Sequence, residues 1–196
     1  CTAQPPPPEP GRRGLNEAGP ASPACQLKVV VFGWGNTSRG DDAIGPLLLA
    51  DLEAAAVPGV ETIEDFQLQI EHALDMVGAD LLLFLDAGIQ TAAPCVFYEA
   101  KPAGVFTAST HALLPEAVLS VYRQVQGQEP PPAFVLCVRG EQFGLGEPMS
   151  EVAIERLEAA KVLVRELCAQ PDVALWRART CPIQQVEVCR QAGNSD

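Results

Sequence analysis

The chain has 196 residues, 47% of them hydrophobic, which suffices for one substantial core and leaves a second domain cramped. With 25 acidic against 13 basic residues and a formal charge of −12, it shows no basic stripe; that argues against nucleic acid or an anionic membrane as partner and favours a basic peptide or a metal ion. No apolar run reaches the roughly 18 residues of a membrane span, and seven scattered cysteines without a C-x-x-C pair fit buried thiols in a reducing, cytoplasmic compartment better than a zinc ribbon or a disulfide framework.

Residues 1–26 hold seven prolines, Pro5 through Pro8 consecutively, and offer little to a core, so they are expected to form a disordered leader. The apolar run 27–32 reads as a buried strand, followed by a glycine-rich turn and a helix to about residue 56. Pro58-Gly59 turns the chain into a strand over 60–65, and apolar residues at helical spacing predict a helix over 70–77. Leu81 to Leu85 form an uninterrupted strand ending at Asp86, and 95–99 a shorter one. A loop through His111 leads to a helix over 115–126, and Pro130-Pro131-Pro132 precedes a strand over 133–138. Ser150 is placed to cap a last helix over 151–169, where Ala153, Leu157, Ala160, Val164 and Leu167 share a face. This order, β-α-β-α-β-β-α-β-α, predicts a single α/β domain over 27–170, a mostly parallel twisted sheet with helices on both faces. Residues 171–196 form a C-terminal tail with room for one extra strand over 183–188.

The turn from Gly33 to Gly45, GWGNTSRGDDAIG, is the most informative segment. A loop between a buried strand and a helix ordinarily offers backbone N–H groups and a positive helix end to an anion. Here two carboxylates, Asp41 and Asp42, stand in that place. A dinucleotide fingerprint starting at Gly33-x-Gly35 needs its third glycine at Ser38, and a phosphate loop spaced on Gly35 and Gly40 needs Lys and Ser/Thr where Asp41 and Asp42 stand. Nicotinamide, flavin and nucleotide are therefore disfavoured. The turn suits a cation, unless one Asp merely caps the helix.

In an open α/β sheet, ligands bind beyond the carboxyl ends of the strands. Asp42 follows the first strand, Asp86 ends the third and His111 precedes the third helix, so the pattern brings all three to one rim. Two carboxylates and an imidazole suit a borderline divalent ion such as nickel or zinc. Plainer readings exist: Asp86 could hold a turn at Ala87-Gly88, and His111 could be an ordinary loop histidine. The other histidine, His72, reads as solvated, and Asp41 and Glu71 are left without a role. No H-E-x-x-H helix or G-x-S-x-G elbow exists. Cys95, the one candidate thiol nucleophile, opens a strand and is expected at the opposite rim. Cys137 and Cys168 read as buried small hydrophobes.

Taken together, Gly33-x-Gly35-Asn36, Gly40-Asp41-Asp42 with Gly45, the strand ending at Asp86-Ala87, and His111 before an amphipathic helix resemble the NiFe-hydrogenase maturation proteases over residues 27–169. The resemblance implies an endopeptidase that trims the C-terminal extension from a hydrogenase large-subunit precursor, its protein partner. It implies that Asp42, Asp86 and His111 are both metal-binding and catalytic, and that nickel already carried by the precursor is sensed before the cut. Residues 66–72, FQLQIEH, resemble the branch serving soluble NAD-reducing hydrogenases. The leader and the tail lie outside the match. A proton-sharing aspartic dyad is disfavoured, because a nearby metal or imidazolium keeps both carboxylates ionised. The alternative is a non-catalytic nickel-binding module or metallochaperone using the same trio, although its usual His-rich or Cys-rich tract is absent.

Overall fold

The computed structural model describes residues 26–103 and 113–182. Five strands form one sheet in the order β2-β1-β3-β5-β4. Strand β1 (Val29–Trp34) pairs in parallel with β2 (Val60–Asp65) and with β3 (Leu81–Gly88), and β3 pairs in parallel with β5 (Ala133–Arg139). Strand β4 (Cys95–Ala100) runs antiparallel along β5. The central strands are apolar without alternation because both of their faces are covered: every residue of Val29–Phe32 and Leu81–Leu85 is buried.

One face of the sheet packs against α1 (Ile44–Ala55), α4 (Glu151–Ala169) and α5 (Val173–Ala178), through Val29, Val31, Leu83, Leu85, Leu49 and Val164 among others. The other face packs against α2 (His72–Asp75) and α3 (Pro115–Gln126), through Val30, Phe32, Phe84, Met76, Val118 and Tyr122. The expected α/β architecture is therefore present, with helices on both faces of a sheet whose strands are parallel except at one edge. The Ser150 cap forms as the sequence suggests, its Oγ accepting from the Ala153 N–H at 3.2 Å.

Four expectations change. Strand β1 lies two residues further along than 27–32 and takes Gly33 and Trp34 into the sheet, where they pair with Glu64 and Asp65. Strand β3 runs past Asp86 to Gly88, because Asp86, Ala87 and Gly88 pair with Cys137, Val138 and Arg139 of β5. The helix expected over 70–77 contracts to His72–Asp75, since Ile70, Leu74 and Val77 stay exposed and only Ala73 and Met76 reach the core from that stretch of apolar side chains. Finally, 171–182 contains a helix: Asp172 Oδ1 caps α5 by accepting from Leu175 N–H at 2.9 Å. Helix α5 docks through Trp176, which packs edge-on against Phe97 and Phe134 at centroid distances of 6.3 and 5.3 Å and donates from Nε1 to the Leu167 carbonyl at 3.1 Å. The strand expected over 183–188 and the loop residue His111 lie outside the described residues.

Candidate active site

The turn after β1 is shaped by close backbone approach. Gly35 has φ 143°, and a Cβ there would sit 2.0 Å from the Asp42 carbonyl oxygen, so the chain folds back on itself only because the side chain is missing. A Cβ at Gly45 would lie 2.3 Å from the Trp34 carbonyl oxygen and 3.1 Å from that of Leu85. The first turn of α1 is thus pressed onto the carboxyl ends of β1 and β3. Between these two glycines a single 3-10 turn, Gly40–Ala43, carries Asp41 and Asp42. Neither side chain caps α1: its N-cap is Ala43, with no side-chain bond.

The two neighbouring carboxylates have separate surroundings. Asp42 is half-buried, and its Oδ2 accepts from the Asn36 N–H at 2.9 Å, while Asn36 Oδ1 accepts from the Ser38 N–H at 2.9 Å and closes the loop. Asp86, also half-buried, lies one position beyond the Gly33–Leu85 register pair and therefore alongside the end of β1. Its Oδ1 accepts from the Ala87 N–H at 2.8 Å. The 3-10 turn bearing Asp42 packs on β3, so Asp42 and Asp86 share the rim at the carboxyl ends of the strands, where an α/β sheet places its ligands.

Asp41 is fully buried and faces the other way, into the loop between β5 and α4. Its Oδ2 accepts from the backbone N–H groups of Glu141 at 2.7 Å and Gln142 at 3.0 Å and from the Ser150 hydroxyl at 2.8 Å, and its Oδ1 accepts from Ser150 N–H at 2.8 Å. Burial by itself would raise this carboxyl's pKa, but the donors from Glu141, Ser150 and Gln142 outweigh it and hold the group below its ordinary 3.8. Backbone bonds reinforce the join: Asp41 N–H donates to Gln142 O at 2.8 Å, Gly40 N–H to Glu147 O at 3.1 Å and Gly146 N–H to Ser38 O at 2.7 Å. Asp41 therefore fastens the Asp42 turn to the 140–150 loop, a role the sequence left open because its partners lie about a hundred residues away.

His72 is buried, contrary to the solvated reading. Its Nδ1 accepts from the Gln69 N–H at 2.9 Å, its Nε2 lies 3.5 Å from Asp65 Oδ2, and its ring meets Phe32 edge-on at 5.8 Å. These contacts brace the segment after β2. Cys95 also moves. Because β4 is antiparallel, its first residue pairs with Val138 near the end of β5, on the same rim as Asp86 and not the opposite one. Burial and the neighbouring Cys181 push the Cys95 thiol's pKa up, which leaves it a poor nucleophile despite its position. Cys137 and Cys168 are buried as expected, and burial pushes Cys168 up to about 12.

Among the described residues no three His, Cys, Asp or Glu side chains converge as a metal site. Asp42 and Asp86 are the two described members of the expected trio, and both are hard oxygen donors on the ligand-binding rim.

No protein-family model matches the sequence, and no curated protein matches it. Solved structures do. A NiFe-hydrogenase maturation protease, HycI, from Thermococcus kodakarensis KOD1 aligns with TM-score 0.55 and 26% identity over 72% of this chain and 92% of its own. The hydrogenase maturating endopeptidase HybD from E. coli aligns with TM-score 0.58 and 23% identity over the same shares, 72% and 92%. The HybD maturation protease from T. kodakarensis aligns at TM-score 0.57 and 15% identity, over 72% of this chain and 99% of its own. The fold is thus that of the hydrogenase maturation proteases, spanned almost from end to end. With the T. kodakarensis HycI the likeness extends to the sequence, and by class the chain is a peptidase.

Proposed function

We propose that this chain is the endopeptidase that removes the C-terminal extension of a nickel-loaded hydrogenase large-subunit precursor, with Asp42, Asp86 and His111 as its working residues. The observation that supports this most is the placement of Asp42 and Asp86 on one ligand-binding rim of a maturation-protease fold. Nickel enters as part of the substrate. Asp42 and Asp86 supply the oxygens, and His111 the imidazole nitrogen, that such a borderline ion accepts, so that only a metal-bearing precursor seats its scissile bond on the rim. Hydrolysis adds water across that amide: a carboxylate of the pair is the group at hand to take one proton from the water as its oxygen bonds to the carbonyl carbon, and that same proton passes to the leaving nitrogen as the C–N bond breaks. Residues 66–72 support the finer reading that the precursor belongs to a soluble NAD-reducing hydrogenase, and the setting for such a substrate is the cytoplasm.

Asp42→Asn tests the assignment cleanly. The amide oxygen still accepts from the Asn36 N–H, so the turn should persist while the negative donor is lost. Processing of a nickel-loaded precursor is expected to stop in this variant. Wild-type cleavage by Asp42→Asn would remove Asp42 from the mechanism.

A further inference from the structure

Beside the Asp42 turn, at the carboxyl ends of β1 and the edge strand β2, lies an open groove of about 420 Å³ lined by Gly35, Thr37, Glu64, Asp65 and Phe66. Two features mark it out. Phe66 is 73% exposed, and Ile70 and Leu74 beyond it are 45% and 60% exposed, so large apolar side chains follow one another along the segment that leaves β2. The charge around them has one sign. Between Gly40 and Ala100 the sequence contains no Lys or Arg, and Glu64, Glu71 and Asp75 are exposed in this same stretch. Arg39, the nearest cation along the turn, donates from Nε to the Phe143 carbonyl at 3.2 Å, on the side of the 140–150 loop.

We infer that this groove is a docking site for a segment of the substrate that carries apolar and basic side chains, held a short distance from the bond to be cut. The inference rests on the protease reading above and adds how the substrate is chosen. An apolar side chain of the substrate covers Phe66, removing an exposed aromatic from water, and its Lys or Arg residues meet Glu64 and Asp65. The groove adjoins the reacting rim directly, because Gly35 lines it while packing against the Asp42 backbone. A second copy of this chain is a poor occupant: a self-paired face would bring Glu64 and Glu71 against like charges in a molecule of formal charge −12.

The test measures cleavage of purified nickel-loaded precursor by wild type, Phe66→Ala, Glu64→Lys, and Glu155→Lys as a charge-reversal control on α4, across the sheet. Phe66→Ala and Glu64→Lys are expected to raise KM about tenfold, the scale of one lost anchor contact, with kcat held within about twofold, while Glu155→Lys matches wild type. Sedimentation of wild type and Phe66→Ala accompanies the kinetics. An unchanged KM in both groove variants overturns the docking site, as does a fall in kcat at constant KM, or a wild-type dimer that Phe66→Ala dissociates without altering KM. Failure of the wild type itself to cut the precursor sinks the protease reading, and this inference with it, and is told apart from the other results by the absence of product in every sample.

Discussion

Two adjacent aspartates in one turn do different jobs, and the division can be measured. Asp42 keeps one bond to the Asn36 N–H and stands on the rim, whereas Asp41 is buried and accepts from three backbone N–H groups and a hydroxyl. Replacing Asp41 by Asn turns an amide N–H₂ toward donors and strands at least one of them, at a cost of about 3 kcal/mol. Urea unfolding at neutral pH should show that loss, with Asp42→Asn within about 1 kcal/mol of wild type. The sign of the pH dependence follows from the depressed Asp41 pKa: its stabilising contribution is full above its ordinary 3.8 and drains away as the pH falls through the lower folded value. The gap between wild type and Asp41→Asn should therefore be wide at pH 7 and narrow below about pH 4. A gap of constant width down to strongly acid pH would mean that Asp41 is not held as a buried carboxylate. None of this was visible in the sequence, which shows two like residues side by side and hides partners brought in from the 140–150 loop.

At the scale of elements, the rim depends on how closely α1 meets the sheet. Gly45→Ala would put a methyl 2.3 Å from the Trp34 carbonyl oxygen, a backbone atom that cannot swing aside as a flexible side chain could. The variant should lose about 2–3 kcal/mol, as overpacked sites do, and thermal melting will read it; an unchanged melting temperature would mean that α1 does not sit this close. Long apolar runs made β1, β3 and β5 easy to recognise, and the cap and heptad-like stripe of α4 were equally plain, since local chemistry decides those features. Strand direction was not plain. Nothing in Cys95–Ala100 distinguishes a parallel from an antiparallel strand, and the error moved Cys95 to the wrong rim. The short helix α5 is hidden for a related reason: its one buried side chain is Trp176, which packs against Phe97 and Phe134, both remote in sequence, and donates to the Leu167 carbonyl at the end of α4. His72 was misread because a lone histidine beside a glutamate gives no sign that Gln69, Asp65 and Phe32 will enclose it.

At the scale of the whole molecule, the proposed function gives the acidic surface and the rim one kind of encounter, with a partner that would bring positive charge in its metal and its side chains. The pair Asp42 and Asp86 was legible because topology alone sends the ends of β1 and β3 to one edge, so knowing the element order was enough to bring them together. What the pair acts on is a matter of chemistry with a partner, and mass decides it most directly. A hydrogenase large subunit expressed in nickel-containing medium should have a lower intact mass when co-expressed with this protein than without it, the difference equal to one defined C-terminal peptide. Identical masses in the two preparations, with both proteins present and folded, would contradict the assignment of this chain as the processing protease.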